Sequence, residues 1–210
     1  MQLLAMLTML IDHVGKAFFP DQIEWQVIGR IAFPIYAYCI VMGYHHTKNL
    51  KNYLFRLFLI ALVSQLPYML VFSTLGLNVV GSLLIALMVI VALDRYKGFL
   101  QAIIIVGTAG LMLEALSFSY GIYGLLLVLV YRYSGKNALI YLHFFLNIIF
   151  MYLNGWIIGM YNIIPTILIV YFPLFYVFIE KIHIPRWLWR SFYPVHLTIL
   201  ALLLISKGLS

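Results

Sequence analysis

Apolar runs of roughly membrane-spanning length follow one another along this chain with almost nothing between them. Breaks at charges, glycine, proline and asparagine divide it into nine segments: 1–19, 25–46, 51–73, 77–94, 98–116, 119–133, 137–153, 163–180 and 190–207. A helix that crosses a bilayer takes about 20 mostly apolar residues. The composition agrees, with 65% apolar and only 9% charged residues, against roughly 25% charged in a soluble domain. No water-soluble core of this size could bury so many apolar side chains. The expectation is one integral-membrane domain over residues 1–210: an all-α, polytopic bundle of about nine transmembrane helices. There is no internal repeat and no low-complexity tract.

In a bilayer the net charge of +7 reads as a topology signal rather than as affinity for nucleic acid. The even-numbered connections carry Lys48 and Lys51, Arg95 and Lys97, Arg132 and Lys136, and Lys181, Arg186 and Arg190. Arg56 lies just inside the third segment on the same side. Only Lys16, Arg30 and Lys207 depart from this pattern among the thirteen basic residues. The even connections are therefore expected to be cytoplasmic, with the N-terminus inside and the protein multi-pass in the cell membrane. Tryptophans mark the expected interfaces, Trp25 and Trp156 outside, Trp187 and Trp189 inside. Cys39 lies within an apolar run and excludes an internal disulfide. Asp12 interrupts the place where the apolar core of a cleavable signal peptide would continue.

Orientation then gives each polar residue a depth. Asp12 and His13 lie about two turns from the outer end of the first segment, and Arg30 a similar distance into the second. The short connection PDQIE makes these two segments an antiparallel pair and sets the three residues at one level. Gln65 and Tyr68, in SQLPY, occupy the outer part of the third segment, and Glu114 and Tyr120 flank an outer turn. A polar site facing outward is implied. At the cytoplasmic end His45, His46, Lys48, Lys51, Arg56, Arg186, Arg190 and His196 would form a basic, histidine-rich mouth.

An ionisable group in a membrane is costly and usually pairs inside the bundle. Asp12 and Lys16 are spaced i, i+4, the geometry of an intrahelical ion pair, and Arg30 is a second candidate partner for Asp12. His13 points about 100° away from Asp12 around the helix and needs a different partner. Histidine is the natural general base at neutral pH. No G-x-S-x-G motif is present, and the six histidines, His13, His45, His46, His143, His183 and His196, show no metal-binding spacing. No metal is expected. His143, with Asn147 one turn later, reads most simply as an interhelical hydrogen-bonding pair.

LLAMLTMLIDHVGKAFFPD, IGRIAFPIYAYCIVMGYHHTKNLKNYLFRL, SQLPY, SYGIYGLLLVLVYRY and FYPVHLTIL together resemble the TraX family along nearly the whole chain. The namesake of that family N-acetylates conjugative pilin in the membrane. The family is similar in turn to a wider superfamily of integral-membrane acyltransferases that draw on acyl-CoA. Those proteins place a basic residue eleven positions before a histidine on the first helix. Here the histidine is His13 and the basic position is Gln2, on one helical face some 16 Å apart. Arg190, Lys51 or Arg56 would have to supply the missing cation. Ser119 likewise stands where an acidic residue is expected, with Glu114 as a substitute.

The resemblance implies an acetyltransferase using acetyl-CoA as donor. Arg190, Lys51, Arg56, His46 and His196 would hold the donor. His13 would act as general base or transient acyl carrier, with Asp12 and Arg30 beside it. Gln65, Tyr68, Glu114 and Tyr120 would line the acceptor side. The acceptor would be a peptide N-terminus, a glycan or a lipid. A transporter using Asp12, His13 and Arg30 as a proton relay, and a noncatalytic membrane scaffold, are the competing expectations.

Overall fold

Among the described residues, short polar caps and tight turns separate the helices. The structure, a computed structural model, describes residues 1–172 and 184–208. Its helices are α1 (Gln2–Phe18), α2 (Ile23–Gly29), α3 (Ala32–His46), α4 (Leu50–Phe72), α5 (Val79–Arg95), α6 (Phe99–Ala115), α7 (Gly121–Tyr133), α8 (Lys136–Asn154), α9 (Ile163–Tyr171) and α10 (Arg186–Ser206). A 3₁₀ turn, Ile157–Asn162, leads into α9. Each expected segment has a helical counterpart. The second is divided by a turn at Arg30 and Ile31. The latter part of the eighth, and Lys181 and His183 in the connection after it, lie outside the described residues.

The bundle is that of a membrane protein. Ile23–His46 taken together, Leu50–Phe72, Lys136–Asn154 and Arg186–Ser206 are long and apolar enough to cross a bilayer. Of the remaining segments, α1, α5 and α6 have 17 residues each, at the short end of what a span takes, and α7 has 13. At 1.5 Å per residue a 13-residue helix rises about 20 Å, less than the roughly 30 Å hydrocarbon layer. The outward faces are apolar, as Phe99 (84% exposed), Leu111 (74%) and Leu66 (67%) show. The interior in turn holds polar groups, among them Asp12, His13, His143, Asn147 and His196. This inversion of a soluble protein is what lipid solvation selects.

Packing between α1 and α2 is close because glycine sits at both contact points. The Cβ positions of Gly15 and Gly29 are already occupied by Trp25 and Asp12, so small residues let the backbones approach. Between α4 and α5, Asn78 caps the second helix by accepting from Val80 N at 3.1 Å. Its own amide donates to the Ala61 carbonyl at 2.7 Å and to Gln65 Oε1 at 2.8 Å. Leu77 then pairs with the segment before α7, donating to the Ser117 carbonyl at 3.1 Å and accepting from Ser119 N at 2.8 Å. This stitching brings the turn at Tyr120 onto the late turns of α1 and α4.

Candidate active site

Two cavities lie end to end in the bundle. The smaller, of about 120 Å³, is bounded by Asp12, His13 and Lys16 of α1, Tyr68 and Phe72 of α4, and the turn at Ser119 and Tyr120. The larger, of about 630 Å³, opens at the other end of the same helices, where Gln2, Arg56, Arg186 and Arg190 meet. Tyr36, Val80, Leu83 and Tyr193 line both. These four side chains are where the two spaces adjoin.

In the smaller chamber Asp12 is held by Lys16 in the i, i+4 ion pair. Arg30 does not pair with it, contrary to the alternative expected from the antiparallel hairpin. Gly29, at the end of α2, packs directly on Asp12, which turns the next residue's side chain elsewhere. The Arg30 guanidinium lies beside the Tyr120 hydroxyl, and its buried Nε has no hydrogen-bond partner. Tyr120 itself has φ of 64°, a left-handed backbone that a bulky residue rarely adopts and that clusters at functional sites. Stacking on Phe33, centroids 3.8 Å apart, holds it there.

His13 finds its partner on α10. Its Nδ1 lies 2.8 Å from His196 Nε2, and His196 Nδ1 donates to the Phe192 carbonyl at 2.6 Å. The ring centroids are 5.0 Å apart with planes 21° from parallel, and both rings are buried. His196 is thus not part of the basic mouth. It lies ten residues beyond Arg186, about 15 Å along the helix, and backs His13 without lining either cavity.

The other expected residues divide. Tyr68 and Tyr120 line the chamber. Gln65 does not: its amide donates to the Gly76 carbonyl at 2.9 Å and its oxygen accepts from Asn78 N at 3.1 Å, so it holds the α4–α5 turn. Glu114 is exposed and caps α7, accepting from Ile122 N at 2.8 Å. Arg56 and Arg190 line the large cavity, with Arg186 added to them. Lys51 is exposed and off its wall, because five residues of helix turn it about 140° from Arg56. His46 is exposed and donates from Nδ1 to the Met42 carbonyl one turn back. Gln2 does share the cavity with the arginines.

Lys16, Phe72 and Tyr193 belong to the chamber without having been weighed as site residues. Tyr193 was traceable: it precedes His196 by three positions and so shares its helical face. Asp94 also went unweighed. It accepts from Arg132 Nη2 at 2.8 Å, Tyr44 at 2.9 Å and Tyr133 at 3.0 Å, clamping α3, α5 and α7 together.

The donor set suits a polyanion. Three arginines and no carboxylate line the large cavity among the described residues, and its volume lies within the range of about 300–1,000 Å³ usual for ligand sites. The TraX protein family model matches residues 1–204. No curated protein and no solved structure matches the chain.

Proposed function

Because this chain belongs to the TraX family, we propose that it is a multi-pass acetyltransferase of the cell membrane that moves an acetyl group from acetyl-CoA to an amine or hydroxyl acceptor. Under this reading the arginine end faces the cytoplasm, as the distribution of basic residues suggests. The observation that carries it is the shared wall: an arginine-lined cavity and a histidine chamber meet at Tyr36, Val80, Leu83 and Tyr193.

Arg56, Arg186 and Arg190 hold the donor phosphates. Arg56 is steadied over the Tyr53 ring, 5.7 Å from its centroid. The thioester supplies the electrophilic carbonyl once its arm passes the wall. His13 removes the proton of the acceptor as it attacks, a contribution of typically 10²–10⁴-fold to the rate. Asp12, fixed by Lys16, borders the same space. The Tyr120 hydroxyl, with the Arg30 cation behind it, is the donor suited to the developing oxyanion. Tyr68 and Tyr120 face the acceptor, whose class includes the pilin N-terminus that the family's namesake modifies, glycans and lipids.

Purified protein incubated with labelled acetyl-CoA tests this. Thioester hydrolysis or transfer that disappears in His13→Ala supports the enzyme. Ion flux in vesicles without thioester consumption would support the proton relay instead, and neither activity the scaffold.

A further inference from the structure

A carbonyl oxygen can only accept, so the contact between His196 Nδ1 and the Phe192 carbonyl, at 2.6 Å, requires a proton on that nitrogen. Neutral His196 then presents a bare Nε2. That nitrogen lies 2.8 Å from His13 Nδ1, which must therefore be the donor, and the remaining nitrogen of His13, Nε2, is left with its lone pair. Neither ring can easily turn over. His196 stacks on Phe192 at 4.6 Å and meets Tyr193 edge-on at 5.6 Å. His13 meets Phe72 edge-on at 5.0 Å.

We propose that His196 is a positioning residue that fixes His13 in the tautomer whose Nε2 is unprotonated and free to act as base. The inference rests on the acetyltransferase reading for its consequence in the rate, but not for the tautomer itself. Histidine–carboxylate pairs elsewhere impose the same order on an imidazole; here a second imidazole, anchored to a main-chain carbonyl, takes the place of the carboxylate. In the reaction His13 Nε2 takes the N–H or O–H proton of the acceptor, whose freed electron pair forms the new bond to the thioester carbonyl carbon. The resulting cation is shared between the two rings through the Nδ1–Nε2 hydrogen bond. When the C–S bond breaks, the departing thiolate recovers the proton from His13, and both rings return to their starting state.

Nitrogen NMR of the purified full-length chain with isotope-labelled histidine reads the tautomer directly. The expected spectrum has His13 protonated at Nδ1 and bare at Nε2. His196→Phe abolishes that preference, whereas His196→Gln retains it, because a glutamine amide oxygen reaches the place of Nε2 and accepts the same hydrogen bond. In acetyl transfer, His196→Phe lowers kcat by about 100-fold, within the range of general-base assistance, and leaves KM for acetyl-CoA unchanged. His196→Gln recovers at least about tenfold of that loss. A proton on His13 Nε2 in the unsubstituted protein overturns the proposal, as does an equal loss of kcat in the Phe and Gln variants. Should the unsubstituted protein not consume acetyl-CoA, the enzymatic reading fails while the nitrogen shifts still decide the tautomer. They require no variant that has to fold.

Discussion

His13 and His143 are both buried histidines in the same bundle, yet their surroundings differ in one decisive respect. His143 spends both nitrogens on protein partners, Nδ1 with Thr166 at 2.6 Å and Nε2 with Tyr123 at 3.2 Å. The network continues to Asn147, Asn162 and Tyr131, and it ties α7, α8 and α9 together. His13 commits one nitrogen to His196 and borders a cavity. Burial of an imidazole is therefore no sign of chemistry by itself. The contrast separates a residue that binds helices from one with a nitrogen left over beside a cavity, the feature on which the proposed role of His13 rests.

The sharpest way to break this contrast is to remove each ring in turn. His13→Ala is expected to lower acetyl transfer by about 10³-fold, measured with labelled acetyl-CoA, and to lower the melting temperature in detergent less than His143→Ala, since it frees one buried partner rather than two. His143→Ala is expected to do the reverse. Leaving Thr166 and Tyr123 unsatisfied costs about 2 kcal/mol of stability, while transfer per folded molecule is retained. Loss of activity in folded His143→Ala would erase the distinction. A smaller effect extends the comparison to the other cavity: Arg190→Gln raises KM for acetyl-CoA about tenfold, worth about 1.4 kcal/mol, without lowering kcat. The smallest comes from Glu114→Gln, which weakens a cap at the start of α7 by less than about 1 kcal/mol and leaves transfer unaltered, as saturation kinetics would register.

What the sequence disclosed depended on the range of each interaction. Apolar runs declare helices because lipid solvation acts on each segment by itself, and the i, i+4 spacing of Asp12 and Lys16 declared their ion pair. His143 was legible as helix glue because Asn147 stands one turn away. The two-histidine contact was not, since 183 residues separate its members and only tertiary packing of α10 against α1 brings them together. His196 was drawn toward the basic mouth by its neighbours Arg186 and Arg190, although helical rise alone carries it well past them. Gln65 and Glu114, expected to line the acceptor side, hold local backbone instead. Polar side chains near helix ends have orphan backbone groups within reach, and both are used there rather than in the chamber.

The residues that line both cavities, Tyr36, Val80, Leu83 and Tyr193, have a consequence for the cell as well as for the proposed reaction. On the proposed reading, a group handed between the two cavities passes the side chains that they share. Such a protein would let chemistry traverse the bilayer while the ion gradients on its two sides remain intact.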